Sequence, residues 1–231
     1  GGSYLTVANG FTNNGLLELT DSYFGSYGAY LYVTTGTLTN AVGATITSVL
    51  GDGGPRSIDA DVTNQGTINV EESLTIENSG TTFTNTAGTV NVAVGKVLTI
   101  SSGTTQLGAG TVLTGDGLLD LAGTHTLELA TDLTLPVTGQ QLSLSGYVTV
   151  NGPGMLINQT VLVLTYDTIN ADVTNSGTLN VLADSYINGA LTTTATSIIR
   201  LEGNSSYGYG QLTVANGFTN NGLLELTDSY F

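Results

Sequence analysis

The chain has no cysteine, no tryptophan, one histidine, one methionine, three prolines and only three lysine and arginine residues in 231. Each scarcity removes a class of protein. Without cysteine there are no disulfides, thiolate metal ligands or thiol nucleophiles, a pattern compatible with an exported bacterial protein and equally with a cytosolic one. Three basic residues against 18 acidic ones leave a net charge of −15. Binding to phosphate backbones needs lysine and arginine to displace counterions, so a nucleic-acid partner is excluded. Attraction to an anionic membrane surface is disfavoured for the same reason. Cations, or a partner with a basic patch, remain open. The plain reading of the acidity is that it keeps a long protein soluble and self-repelling. No apolar run approaches the ~18 residues of a membrane-spanning helix. The first residues, GGSYLTVANG, carry neither Met nor a signal peptide, so any signal is expected upstream.

What is present is repetition. Residues 5–24, LTVANGFTNNGLLELTDSYF, recur unchanged as residues 212–231, an offset of 207 (212 minus 5). Such self-similarity sets the class of architecture before any local reading. The chain is expected to be a window on a tandem array: one unit at about 5–211, the next identical unit opening at 212–231. Within the unit a shorter motif recurs: an apolar residue, Thr-Asn, one or two small residues, Gly, then alternating apolar and polar positions. It reads FTNNGLLEL from Phe11, VTNQGTINV from Val62, FTNTAGTVNV from Phe83 and VTNSGTLNV from Val173, with a looser copy from Leu38. The first four copies stand 27, 24 and 21 residues apart, at Phe11, Leu38, Val62 and Phe83.

Period-two alternation in short runs rich in Thr, Val, Leu and Ile predicts strands. Asn-Gly, Ser-Gly and Gly-Gly pairs bound them, as residues that tolerate positive φ. Thr, Gly and Asn also disfavour helix interiors. Propeller blades would need about 40 residues and their own signatures, and a sandwich would not repeat one short motif every two dozen residues. The remaining architecture is all-β: a parallel β-helix, or β-solenoid, running continuously through residues 1–231. At ~20–23 residues per coil, a 207-residue unit holds about nine to ten coils. In such a stack, Asn at one turn position forms an amide ladder between coils about 4.8 Å apart. Asn13, Asn40, Asn64, Asn85, Asn175 and Asn220 are the candidates. The most apolar strand, residues 161–164, is expected to face core on both sides, and His125, between two threonines, to lie on the surface.

The recurring F/V-T-N-x-G-T-L/I-N-V coil resembles those of large secreted bacterial exoproteins, the β-helical passengers of autotransporter and filamentous-haemagglutinin-like adhesins. The resemblance is one of repeat style and covers nearly the whole chain. It implies a right-handed winding, export to the bacterial cell surface, and a role in adhesion or in building an extracellular layer or fibre. It supplies no catalytic or binding residues.

Most of the 11 tyrosines gather near the unit junction in Gly/Ser-rich stretches that read as longer loops. Tyrosine offers apolar area with a polar end at low ordering cost, as contact surfaces favour. Tyr23, Phe24, Tyr27, Tyr30, Tyr32, Tyr207 and Tyr209 are therefore the candidates for recognition or assembly. Two chemistries compete with the plain reading of solvated carboxylates. Cleavage of acidic polysaccharide would use paired carboxylates such as Asp59/Asp61, Asp116/Asp120 or Glu71/Glu72, with a cation from Arg56, Lys96 or Arg200. Calcium would use turn carboxylates, Asp52 and Asp116, but the nonapeptide array of calcium-binding β-rolls is missing. Thr-x-Thr rows are too irregular for an ice-binding face. The expectation is a protein that is not an enzyme: an extracellular structural and adhesive repeat rod without a cofactor. Its partners would be neighbouring copies of itself, end to end or side by side, and surface glycans or other cells. The alternatives are a subunit of a self-assembling sheath, surface layer or filament, and a polysaccharide-binding or polysaccharide-cleaving β-helix.

Overall fold

A computed structural model of the chain describes residues 2–21, 27–49, 51, 54–77 and 80–229. Their parallel strands stack into an all-β solenoid of about 10 turns, with no helix among the described residues. Each turn visits three faces. On the first face Leu5 lies over Leu31, then Ile58, Ile76, Ile100, Leu121, Leu144, Leu164, Val181, Leu201 and Leu226, each the register partner of the next. On the second, Phe11 leads through Leu38, Val62, Phe83, Thr105, Leu127, Val150, Ile169 and Ile187 to Val214. The third face comes in two pieces, Leu17 to Leu113 and Leu133 to Leu191. Within several turns one strand runs round the corner from the first face to the second, as in Ala29–Asn40, Val97–Leu107 and Leu118–Leu129.

Alternation in the sequence becomes inside and outside in the structure, because successive strand side chains point to opposite faces. In Thr67–Val70 and Thr89–Val92 the second and fourth residues are buried and the others half-buried. The inward columns form one continuous apolar core from Leu19 to Ile199. Val161–Thr165 follows the same rule: Leu162 and Leu164 are buried while Val161 and Val163 are half-buried, so the strand does not face core on both sides. Its valines cover the outer surface, where β-branched side chains suit a pleated strand.

Turn length is not constant. Equivalent asparagines stand 27 residues apart between Asn13 and Asn40 and only 17 apart between Asn158 and Asn175. The slack is taken up at corners. Between the first and second faces, the register of Ala29–Asn40 against Arg56–Asn64 jumps between Tyr32 and Thr37; Val33 stays buried and residues 34–36 bulge outward. The same corner turns through left-handed backbone at Ser102 (φ 62°), Tyr147 (φ 58°) and Tyr166 (φ 62°).

The glycine of the Thr-Asn-x-Gly motif has a different physical cause from the expected positive φ. Gly66 is not in that region. A Cβ built on it would lie 2.3 Å from the Ala44 carbonyl oxygen and 2.4 Å from that of Ala41. Glycine is required there because the corner of the preceding turn comes too close for any side chain. Gly15, in the first turn, meets nothing within 4 Å. Gly66→Ala is therefore expected to destabilise the chain by about 1–3 kcal/mol, the usual cost of forced overpacking. Gly15→Ala should change it by less than about 0.5 kcal/mol. Urea denaturation of the two variants checks this, and equal losses would refute the corner-contact account.

Candidate functional site

The polar interior is organised by asparagine. The Asn13 side-chain N–H donates to Asn40 Oδ1 at 2.9 Å, Asn40 to Asn64 at 2.8 Å, and Asn64 to Asn85 at 2.8 Å. The second N–H of each donates to the carbonyl that opens the next turn's following strand: Thr45, Thr67 and Thr89 in turn, at 3.0, 3.0 and 3.2 Å. Asn40, Asn64 and Asn85 are fully buried, which only such pairing makes affordable. The row stops where Leu107 takes over from Asn85.

A second row, at the next corner along, links Asn158 to Asn175 at 2.7 Å, and Asn175 donates onward to the Ile198 carbonyl at 3.1 Å. Asn158, in Ile-Asn-Gln-Thr, escapes the sequence motif because no Gly follows it; its neighbour Leu156 in the column marks it as inward-facing. Asn220 is not stacked on another asparagine; it is exposed and hydrogen-bonds within its own loop to Gly222, at 3.0 Å. An external amide row also exists, Asn188 to Asn170 to Asn151 to Glu128, at 2.8, 2.9 and 2.9 Å.

The tyrosines fall into two groups. Tyr30 and Tyr32 lie on the strand Ala29–Asn40, not in a loop. Tyr4 stacks on Tyr30 with ring centres 4.7 Å apart and planes 7° off parallel, and Tyr32 stands 6.4 Å from each. Parallel in-register pairing places them so: Tyr4 and Thr6 sit over Tyr30 and Tyr32, and Tyr32 over Asp59. Tyr27 is half exposed nearby. Tyr23 and Phe24 lie outside the described residues.

The second group joins Tyr147, stacked on Tyr166 at 5.6 Å, to Tyr207, edge-on to Tyr166 at 6.3 Å. The loop carrying Tyr207 is tied by an Asn204–Gly208 bridge and donation from the Tyr166 hydroxyl to the Tyr207 carbonyl at 3.1 Å. Tyr209 is the most exposed tyrosine described, at 84%. Tyr4, Tyr147 and Tyr166 escaped the sequence reading because only stacking of turns distant in sequence brings them to the others.

Beside the first tyrosine group runs an open groove of about 570 Å³, lined by Thr6, Tyr32, Thr34, Thr35, Asp59, Asp61 and Thr81. The bulge at residues 34–36 is one wall, and the strand Arg56–Asn64 supplies the two carboxylates. Asp61 accepts from the Thr82 N–H at 2.6 Å.

The remaining charged candidates are dispersed. Glu71 accepts from Asn69 at 2.8 Å, while Glu72 accepts from Lys96 at 2.7 Å, so the neighbouring carboxylates serve different partners. The Lys96 hydrogen bond holds the Glu72 carboxyl below its usual range. Asp120 accepts from Ser145 at 2.7 Å, and Asp116 is an exposed turn residue. Asp52 lies outside the described residues. No group of three or more His, Asp or Glu fit to hold a metal occurs among the described residues. All three basic side chains are paired with carboxylates: Arg56 with Asp21 at 3.3 Å, Lys96 with Glu72, and Arg200 with Glu225 at 2.5 Å. Arg56 is buried and also donates to the Val49 carbonyl at 2.9 Å, acting as a strut inside a corner.

Strongly shifted acid–base groups often mark function, and two occur here, both inside the solenoid. His125 is 2% exposed, not on the surface. It shares the inward phase of Leu127 and Leu129, and its Nε2 meets Thr105 Oγ1 at 2.9 Å. Burial pushes its pKa down to about 4. Asp167 is 0% exposed. Burial raises its pKa to about 7, against the N–H donors of Val148 and Thr165. Neither side chain is open to a substrate.

Compared with protein-family models, curated proteins and solved structures, the chain matches none. The class its fold defines is that of the β-solenoid repeat proteins.

The two buried groups oppose each other with pH. The folded pKa of His125 lies below its ordinary 6.5, so its stability contribution is present above pH 6.5 and lost as pH falls toward 4. The folded pKa of Asp167 lies above its ordinary 3.8, so its contribution is present below pH 3.8 and lost as pH rises toward 7. Measured against the parent chain, Asp167→Asn should gain stability as pH rises from 4 to 7, and His125→Gln as it falls from 6.5 to 4. Each trend should be on the order of 1 kcal/mol per pH unit. Urea titrations across that range read both, and pH-independent differences would contradict the assignment.

Proposed function

We propose that this chain is a structural and adhesive module, not an enzyme, and that it builds a stiff rod outside the bacterial cell in the manner of the exported β-helical exoproteins it resembles. The observation that carries the reading is the solenoid itself. Uninterrupted in-register ladders on two faces run through the described residues, and the same sequence, at residues 5–21 and 212–228, occupies the first and last turns. A fold that grows along one axis adds length and surface without a central site. Acidity and the pairing of every basic side chain leave a surface that repels its like except where aromatic groups collect. Those collections, Tyr4/Tyr30/Tyr32 and Tyr147/Tyr166/Tyr207, are the contact points of the proposal. Ten turns at a strand spacing of about 4.8 Å give a rod about 48 Å long. Small-angle scattering should show a rod of that length and constant cross-section, and scattering from a compact sphere would sink the reading.

A second reading is favoured by the groove beside Tyr32. An aromatic ring, four threonine side chains and the carboxylates of Asp59 and Asp61 along an open trough suit a saccharide, which presents apolar ring faces and hydroxyl donors. Glycan-array binding that is lost in Tyr32→Ala and weakened at least tenfold in Asp59→Asn would assign recognition to this groove. Unchanged binding would place recognition elsewhere.

A further inference from the structure

The two identical stretches do not occupy the same faces. Leu5–Val7 lies on the first face, against residues 31–33, whereas its duplicate Leu212–Val214 lies on the second, against Ser185–Ile187. Leu16–Leu19 lies on the third face, against Thr45–Ser48, whereas Leu223–Leu226 lies on the first, against residues 198–201. Along the first-face column Leu5 is nine turns from Leu201, and Leu212 is one face further on. One 207-residue unit therefore winds through nine turns and one face.

Resting on the rod reading, we propose that a following unit continues the solenoid on the last turn with all its faces advanced by one, so that three units, about 130 Å, are needed before a face recurs. The occupant of the last turn is identified by the first. Leu19 is 3% exposed beneath the turn that follows it, while its duplicate Leu226 is 74% exposed. Gly15 meets nothing within 4 Å, while its duplicate Gly222 has the Ser197 carbonyl oxygen 2.2 Å from a built Cβ. The first copy is covered only on the side of the following turn and the second only on the side of the preceding one. Superposed, they make one turn covered on both sides, in the register that seats Leu5 on Leu31.

The asparagine rows join in the same way. Asn158 and Asn175 stand at the corner between the third and first faces, where Thr193 and then the Asn220 loop follow, Thr193 donating to the Thr219 carbonyl at 2.8 Å. Asn220 makes the same loop hydrogen bond that its duplicate Asn13 makes, Nδ2 to the glycine carbonyl, at 3.0 and 3.3 Å. In the first copy that asparagine also donates to Asn40. With the faces advanced by one, Asn220 donates to the next unit's Asn40 at this corner, and the two short rows become one that crosses the junction.

A chain carrying residues 25–231 a second time after Phe231 tests this. Cryo-electron microscopy should show one straight solenoid whose two 204–210 hairpins lie a third of a turn apart. Hairpins on the same face, or turned the opposite way, overturn the rotation and leave the rod intact. Two bodies at no fixed angle overturn both. Thermal unfolding gives an independent reading. Leu226→Lys should leave the single-unit Tm unchanged and lower that of the two-unit chain by several degrees, the same loss that Leu19→Lys should cause in the single unit. A two-unit Tm insensitive to Leu226→Lys overturns the proposed seating.

Discussion

Everything in this molecule follows from the backbone hydrogen bonds that run between turns. Parallel in-register pairing puts each residue on top of its equivalent one turn away, at the ~4.8 Å spacing of neighbouring strands. A side chain in such a column must therefore tolerate its own kind above and below. Leu, Ile and Val do so on the inside by burying surface. Among polar side chains the amide is suited to it, since it donates and accepts along the same line. That is why Asn, and not Ser or Asp, fills the inward corner positions from Asn13 to Asn85.

The same constraint sorts the surface. Charges in register would stand like over like, which is destabilising, so the exterior strands carry Thr, and the few cations pair with acids one turn away. Tyrosines survive stacking because parallel rings attract at these distances. Tyr4 on Tyr30 is thus the aromatic counterpart of the amide row. The groove beside Tyr32 exists because one turn carries extra residues at a corner. Corners are the place where a solenoid takes up insertions without disturbing its columns.

Much of this was legible in the sequence. Period-two alternation and the recurring Thr-Asn-x-Gly motif give the strands, the parallel stack and the number of turns. The inward place of His125 was also written there, since it keeps the phase of Leu127 and Leu129, but its polarity argued for the surface. Burial won, because one polar ring can be carried among so many apolar contacts when Thr105 supplies a partner. The groove and the Tyr147–Tyr166–Tyr207 cluster were not legible. They depend on which turn lies over which corner, and the unequal spacing of 17 to 27 residues hides that from any fixed period. The motif glycine was read for its backbone freedom and turned out to be needed for its lack of volume, a contact made only by the neighbouring turn.

Because the hydrogen bonds point along the axis, tension on the two ends is carried by the inter-turn ladders in series. The weakest ladder opens first, and the turns beyond it stay folded. A turn that opens exchanges a rise of about 4.8 Å for an extended length of roughly 60–90 Å at 17 to 27 residues. With no disulfide to stop it, this unravelling proceeds turn by turn. The solenoid is accordingly a rigid strut under compression and small loads, and under a strong pull a tether that lengthens and dissipates work before it parts.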